Sequence, residues 1–182
     1  MVAVLRKLTP LRKLKTGGMH FDNGGINFTS GVSLECNYAT TVSVFRFNAL
    51  ELGGSIFSGR QCIIHLGGDR LMLFNNHTEK KLRTTNYDGA WKGLPTNIDL
   101  ELQQVYTGAG VQNGNEEHIY LASNGEIIDH NYRTDIGDAG SYTDVNVQVG
   151  SRADGDYQMR GVVYAAFIYN RPLSEDEIKQ IS

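Results

Sequence analysis

The chain is poor in the residues that staple, break or span: its 182 residues include two cysteines, three prolines and one tryptophan. Two cysteines exclude a disulfide framework. Cys36 and Cys62 are expected as separate reduced thiols, filling space as small hydrophobes. Neither stands in a C-x-x-C arrangement, which argues against structural zinc. The five histidines, His20, His65, His77, His118 and His130, show no metal-ligand spacing. No apolar run approaches the roughly 18 residues of a membrane-spanning helix, so membrane insertion is not expected. The first residues lack the apolar stretch and small-residue cleavage site of a secretion signal. There is no Gly-x-Ser-x-Gly elbow, no Walker loop and no His-Glu-x-x-His, and no motif requires a cofactor.

What is abundant is glycine, 21 residues of it, in a chain 40% hydrophobic and 20% charged. Such a composition suits one soluble domain of short strands joined by turns. Strands are expected at Val42–Phe47, Gln61–Leu66, Arg70–Phe74, Ile98–Tyr106 and Glu117–Ala122. Asn124-Gly125, between alternating segments, signals a hairpin with a type I′ turn. Val145, Val147 and Val149 alternate with Asp144, Asn146 and Gln148, which predicts one dry and one wet face.

The last stretch is the most informative. From Gly161 to Tyr169 it reads as a strand apolar on both faces: Val162, Tyr164, Ala166 and Ile168 on one, Val163, Ala165, Phe167 and Tyr169 on the other. A strand greasy on both sides belongs between two packed layers. Pro172 ends it. Ser174 and Glu177 then form a capping box, and Leu173 can staple onto Ile178. This run, Tyr-Asn-Arg-Pro-Leu-Ser-Glu-Asp-Glu-Ile178, resembles the closing segment of laminin-G-like domains in the concanavalin A-like lectin/glucanase superfamily. His20-Phe-Asp-Asn-Gly-Gly-Ile-Asn-Phe28 resembles that family's opening strand, with Asn23-Gly24 as a turn. Ile119–Ile128 resembles its central hairpin. The resemblance runs in order over residues 18–182 and implies an all-β fold: an antiparallel β-sandwich jelly roll with a short C-terminal helix. Trp91, separated from Ile98 by Lys-Gly-Leu-Pro-Thr, departs from the family's placement of a Trp directly before a central strand.

Members of that superfamily that cleave β-glucans carry Glu-x-Asp-x-(x)-Glu on one strand face. The nearest match here is Asn97-Ile-Asp99-Leu-Glu101, which a strand would place on one face. An amide at the nucleophile position cannot form the covalent intermediate, so no catalytic residue is assigned. The resemblance also implies calcium at the sheet rim as an optional ion. Asp135 and Asp138, and Asp154 and Asp156, offer hard oxygen ligands, although Asp and Gly in loops commonly serve turn geometry. Sugar recognition needs aromatics to stack on pyranose faces, with amides or carboxylates for the hydroxyls. Two segments, read as loops, have that composition: Thr84–Lys92, with Tyr87, Asp88 and Trp91, and Asp129–Arg133, with His130, Asn131 and Tyr132. Trp91 can serve instead as a plug on the sandwich edge.

The net charge of −3 hides an asymmetry. Arg6, Lys7, Arg12, Lys13 and Lys15 stand near the start without an acid, leaving 12 bases against 20 acids in the remainder. Leu5-Arg6-Lys7-Leu8 recurs as Leu11-Arg12-Lys13-Leu14 across Thr9-Pro10. Residues 1–17 are thus an N-terminal arm. Its leucines suit docking on a protein surface better than nucleic-acid binding, which favours denser charge. The resemblance implies partners of one kind in particular: laminin-G-like modules serve as structural or receptor-binding parts of phage particles and bacterial surface complexes. A carbohydrate-recognition module tethered through its arm, a virion decoration protein and a degenerate glycoside hydrolase are the three readings, in that order.

Overall fold

The computed structural model describes residues 18–29, 33–50, 59–66, 71–76, 79–87, 91–137, 140–142, 146–152 and 157–182. The arm, residues 1–17, lies outside the described residues. Two antiparallel six-stranded sheets face each other. The first runs in the order β1 (Met19–Gly24), β14 (Met159–Tyr169), β4 (Thr40–Phe47), β9 (Tyr106–Asn113), β10 (Glu116–Ser123) and β11 (Glu126–Arg133). The second runs β2 (Ile26–Thr29), β13 (Asn146–Val149), β5 (Arg60–Leu66), β6 (Leu71–Asn76), β7 (Lys81–Tyr87) and β8 (Trp91–Pro95). A small ladder pairs β3 (Leu34–Glu35) with β12 (Ser141–Tyr142), and one helix, α1 (Glu175–Ile181), closes the chain. The fold is the β-sandwich jelly roll expected from the sequence.

The main core lies between the sheets. Phe45 and Phe47 of β4, Ile119 and Leu121 of β10, and Met159 and Val163 of β14 meet Ile64, Leu66, Leu73, Leu82 and Val147 from the other side. In β9 the inward positions next to Tyr106 are Gly108 and Gly110. A methyl group added at Gly108 would sit 2.6 Å from Leu82 Cδ2, and one at Gly110 would sit 2.5 Å from Thr84 Oγ1. These glycines let β9 approach β7 closely, and they hide a buried strand from any hydrophobic pattern. Cys36 and Cys62 are separate buried thiols, as expected.

A second apolar cluster lies on the outer face of the first sheet, under α1. Val42, Ala109, Val111 and Tyr120 are covered there by Leu173 and Ile178. The capping box is formed: the Glu177 backbone N–H donates to Ser174 Oγ at 3.3 Å, and the Ser174 backbone N–H donates to Glu177 Oε2 at 2.9 Å. Arg171 donates to both Glu177 oxygens, at 2.9 and 2.6 Å, fixing the turn that leads into the helix. Leu173 and Ile178 share that cluster, as a staple requires.

Several local expectations are corrected. Alternation fails in β14 because the register against β4 shifts between Val163 and Ala165, leaving Tyr164 as the extra residue. One residue out of register turns every later side chain over. Val163 faces the core with Phe45, but beyond the shift Ala166 and Ile168 pack inward. Phe167, opposite Val42, faces out and is 38% exposed. Residues 96–105 form no strand: Leu100 N–H donates to Lys80 O, Gln103 N–H donates to Phe47 O, and Gln103 has φ +64°. The Asn97-x-Asp99-x-Glu101 face is therefore not built. Asn23 and Gly24 belong to β1, and the chain changes sheets at Gly25 rather than turning at Asn23-Gly24. Gln148 is buried, so the polar face of β13 is not wet there; Asp144 and Val145 lie outside the described residues.

Candidate functional site

Both segments expected as sugar-binding loops turn out to carry strand. Tyr87 ends β7 and Trp91 begins β8, and their backbones pair across the hairpin. Asp88 lies outside the described residues. His130, Asn131 and Tyr132 stand on β11, the edge of the first sheet, rather than in a loop. Strand β8 is the edge of the second sheet on the same side.

Polar side chains clasp these two edges. Asn131 Nδ2 donates to Pro95 O at 2.9 Å, and its Oδ1 accepts from the Tyr132 backbone N–H at 2.9 Å. Asp129 accepts from the Asn97 backbone N–H at 2.5 Å, from Asn97 Nδ2 at 2.9 Å and from the Ile98 N–H at 3.1 Å. Residue numbers rise along one strand as they fall along the other, so β8 and β11 are antiparallel here. The Trp91 end of β8 therefore lies toward the Arg133 end of β11, and the two candidate segments share one margin of the sandwich. Asn131 is committed to the clasp, which leaves His130 and Tyr132 to face outward.

The outward side chains form a two-by-two group that no sequence pattern marks. A register shift between Leu121 and Ala122 sets Tyr120 opposite His130 and His118 opposite Tyr132. The Tyr120 and His130 rings are parallel within 1°, with centroids 4.2 Å apart. His118 lies 5.4 Å from His130 and 5.7 Å from Tyr132. His118 Nδ1 and His130 Nε2 are 3.1 Å apart, and His118 Nε2 lies 3.4 Å from Glu116 Oε2. Tyr120 is buried against the α1 cluster, whereas Tyr132 is 60% exposed. Burial, reinforced by the neighbouring His118, holds His130 below the ordinary histidine value; Glu175 and Asp129 pull it up more weakly.

The opposite face of the same strand pair holds a buried charge. Glu117 is fully buried and accepts from Gln112 Nε2 at 3.0 Å and from Arg133 Nε at 2.6 Å. Burial pushes its carboxyl above the ordinary value, against the pull of Arg133 and the hydrogen bonds from Gln112, Arg133 and Thr84. Arg133 thereby fixes the far end of β11, so the platform rests on a strand tied down along its length.

Of the four aspartates implied for calcium, only Asp135 is described; Asp138, Asp154 and Asp156 lie outside the described residues. Asp135 is exposed at φ +60°, and among the described residues no group of three or more His, Cys, Asp or Glu side chains could hold a metal ion. Among the described residues no helix is long and apolar enough to cross a membrane.

Chemically, the outward group offers an exposed phenol ring, two imidazoles and the Glu116 carboxylate. A flat surface with hydrogen-bonding edges can stack on a ring and bond its hydroxyls. It is not the pair of facing carboxylates that most glycoside hydrolases use.

No protein-family model matches the chain, and no curated protein matches its sequence. Solved structures do resemble it. The native heptameric SAP-like pentraxin from Limulus polyphemus is similar with a TM-score of 0.66 at 12% identity, covering 91% of this chain and 77% of that one. The Ruminococcus gnavus IT-sialidase CBM40, bound to α2,3-sialyllactose, is similar with a TM-score of 0.59 at 15% identity, covering 91% and 98%. A Trypanosoma rangeli sialidase is similar with a TM-score of 0.61 at 18% identity, covering 90% of this chain but 26% of its own. These likenesses are of fold: a jelly-roll β-sandwich.

Proposed function

We propose that the chain is a non-catalytic, laminin-G-like carbohydrate-recognition module whose contact surface is the outer face of the β10–β11 edge. The observation that carries this reading is Tyr132, exposed on a strand edge and backed by His118, His130 and Tyr120 in ring contact. An aromatic held this way stacks on a sugar at little conformational cost, because the surface is already organised. The Tyr87–Trp91 hairpin, at the same margin, supplies a second contact. Support comes from the similar CBM40 module, which holds a sialylated sugar. The non-catalytic reading is supported by Asn97, whose amide is hydrogen-bonded to Asp129. The arm is the tether to a larger assembly, a phage particle or bacterial surface complex, supported by its repeated Leu-Arg-Lys-Leu.

The test is binding of the full chain to a panel of immobilised neutral and sialylated oligosaccharides. Tyr132→Ala should weaken binding about two- to tenfold, the worth of one aromatic stacking contact, and leave the melting temperature nearly unchanged. Failure of every oligosaccharide to bind, or undiminished binding by Tyr132→Ala, would remove this site.

A further inference from the structure

We propose that His118 and His130 form a proton-gated pair, closed while it holds at most one added proton and opened by a second, so that acid withdraws the Tyr132 surface from its ligand. The consequence for ligand rests on the reading of this edge as the glycan contact; the pair itself is testable without a sugar.

The two rings differ in plane by only 12°, with centroids 5.4 Å apart, while the facing nitrogens are 3.1 Å apart. The nitrogen separation and the two ring radii together span the whole centroid distance. The nitrogens therefore lie on the line between the centroids, and the rings meet edge to edge in one plane. That is the geometry of a hydrogen bond rather than of stacking, and it needs one donor and one acceptor.

Glu116 sets the direction. Its carboxylate only accepts, so His118 carries its proton on Nε2, beside Glu116 Oε2, and presents a bare Nδ1. His130 then donates from Nε2 and keeps its own Nδ1 bare. A first added proton enters at His130 Nδ1 and leaves the shared hydrogen bond intact, now charge-assisted. Burial and the neighbouring ring resist that proton, and the acids facing the pair pull toward it more weakly. They are Asp129 from β11 and Glu175 from α1, the latter paired with Lys179 at 2.7 Å, with Glu116 of β10 beside His118. Tyr120 and Tyr132 complete the surroundings.

A second proton has only His118 Nδ1 to enter. Two N–H groups would then face each other across the gap, and the pair must part. Like charge on the two imidazoles opposes the same step. Parting matters because the pair links a buried anchor to an exposed ring. His130 lies flat on Tyr120, which α1 covers, and His118 lies against Tyr132.

The experiment is an NMR titration of the full chain labelled with ¹⁵N at histidine, without sugar. Both rings should appear as Nε2–H tautomers at neutral pH and titrate in two separated steps. The Tyr132 ring signals should move with the second step, and His118→Gln should return His130 toward its ordinary value. Independent titration of both rings with Tyr132 unmoved, or a His130 curve unaltered by His118→Gln, would overturn the pair. With α2,3-sialyllactose as the probe, affinity should fall about tenfold for each pKa unit by which ligand opposes the second proton. That pH dependence should vanish in His118→Gln, whatever its absolute affinity. Sugar affinity independent of pH overturns the gate. Two NMR steps in a protein that binds no sugar would uphold the pair and sink the glycan reading.

Discussion

The carboxylate of Asp129 binds Asn97 twice, through the backbone N–H at 2.5 Å and the side-chain amide at 2.9 Å, and so ties the loop after β8 to strand β11. This bond places the one catalytic-looking motif of the sequence in a structural task. Hydrogen bonds to a charged acceptor contribute about 1.5–3 kcal/mol each when shielded, and less in reach of water. Asp129→Ala should therefore lower stability by about 1–3 kcal/mol in urea unfolding. Unchanged stability would show that the clasp is not formed in solution.

The outward turn of Phe167 gives a contrast between two residues of similar bulk. Phe45→Ala, in the sealed core, should cost about 3–5 kcal/mol. Phe167→Ala should cost well under half of that, since much of its ring already meets water. Equal losses in thermal melts would mean that β14 is not bulged at Tyr164.

Close approach of β9 to β7 predicts sensitivity to the smallest possible addition. Gly108→Ala and Gly110→Ala should each destabilise by about 1–3 kcal/mol, because Leu82 and Thr84 occupy the space a methyl group would need. Melting temperatures equal to that of the unaltered chain would contradict the packing described.

Glu177 makes α1 acid-labile. The hydrogen bonds from Arg171, and secondarily from the Ser174 backbone, hold its carboxyl down at about 2. A depressed carboxylate contributes stability above its unfolded value, and that stability is lost as pH falls through the folded value. The window thus runs from about 4.5 down to about 2. Stability should decline there more steeply in the unaltered chain than in Glu177→Gln, as followed by thermal melts across that range. Parallel profiles would show that the pairing with Arg171 is not maintained. Ser174→Ala should cost about 1 kcal/mol through loss of the cap.

The arm allows a test independent of the sandwich. Removing residues 1–17 should leave the body folded and abolish the attachment to a larger assembly proposed above. Leu5, Leu8, Leu11 and Leu14 changed together to Ser should do more damage than neutralising Arg6, Lys7, Arg12 and Lys13. This follows because burial of a leucine contributes up to about 1.5–3 kcal/mol and exposed charge is screened by salt. Release by charge neutralisation alone would point to an acidic surface instead.

Much of the fold was legible because local signals agreed with the global arrangement. Ser174 and Glu177 announced their helix, and Asn124-Gly125 fixed a hairpin whose two residues both have positive φ. What stayed hidden had specific causes. Strand β9 shows glycines where a core strand normally shows bulk. The His118–Tyr132 pairing depends on the shift beside Leu121: an unbroken register from the Asn124-Gly125 turn would set His118 opposite Asn131 instead. One extra residue on β11 thus created the candidate site and concealed it, since period-two reasoning has no means of placing a bulge. The Asp129–Arg133 segment reads as a loop because its polar residues Asp129 and Asn131 close the margin between sheets, a task that apolar patterns do not mark.

The displaced register at Tyr164 also bears on how this chain can vary. Loss of that single residue would close the ladder, with Ala165 following Val163 directly, and would keep every later pairing: Phe167 opposite Val42 and facing out, Ile168 opposite Thr41 and facing in. A deletion there removes the bulge without exchanging the two layers, and an exchange of Tyr164 for another side chain changes only what the surface presents. At this point both length and identity are open.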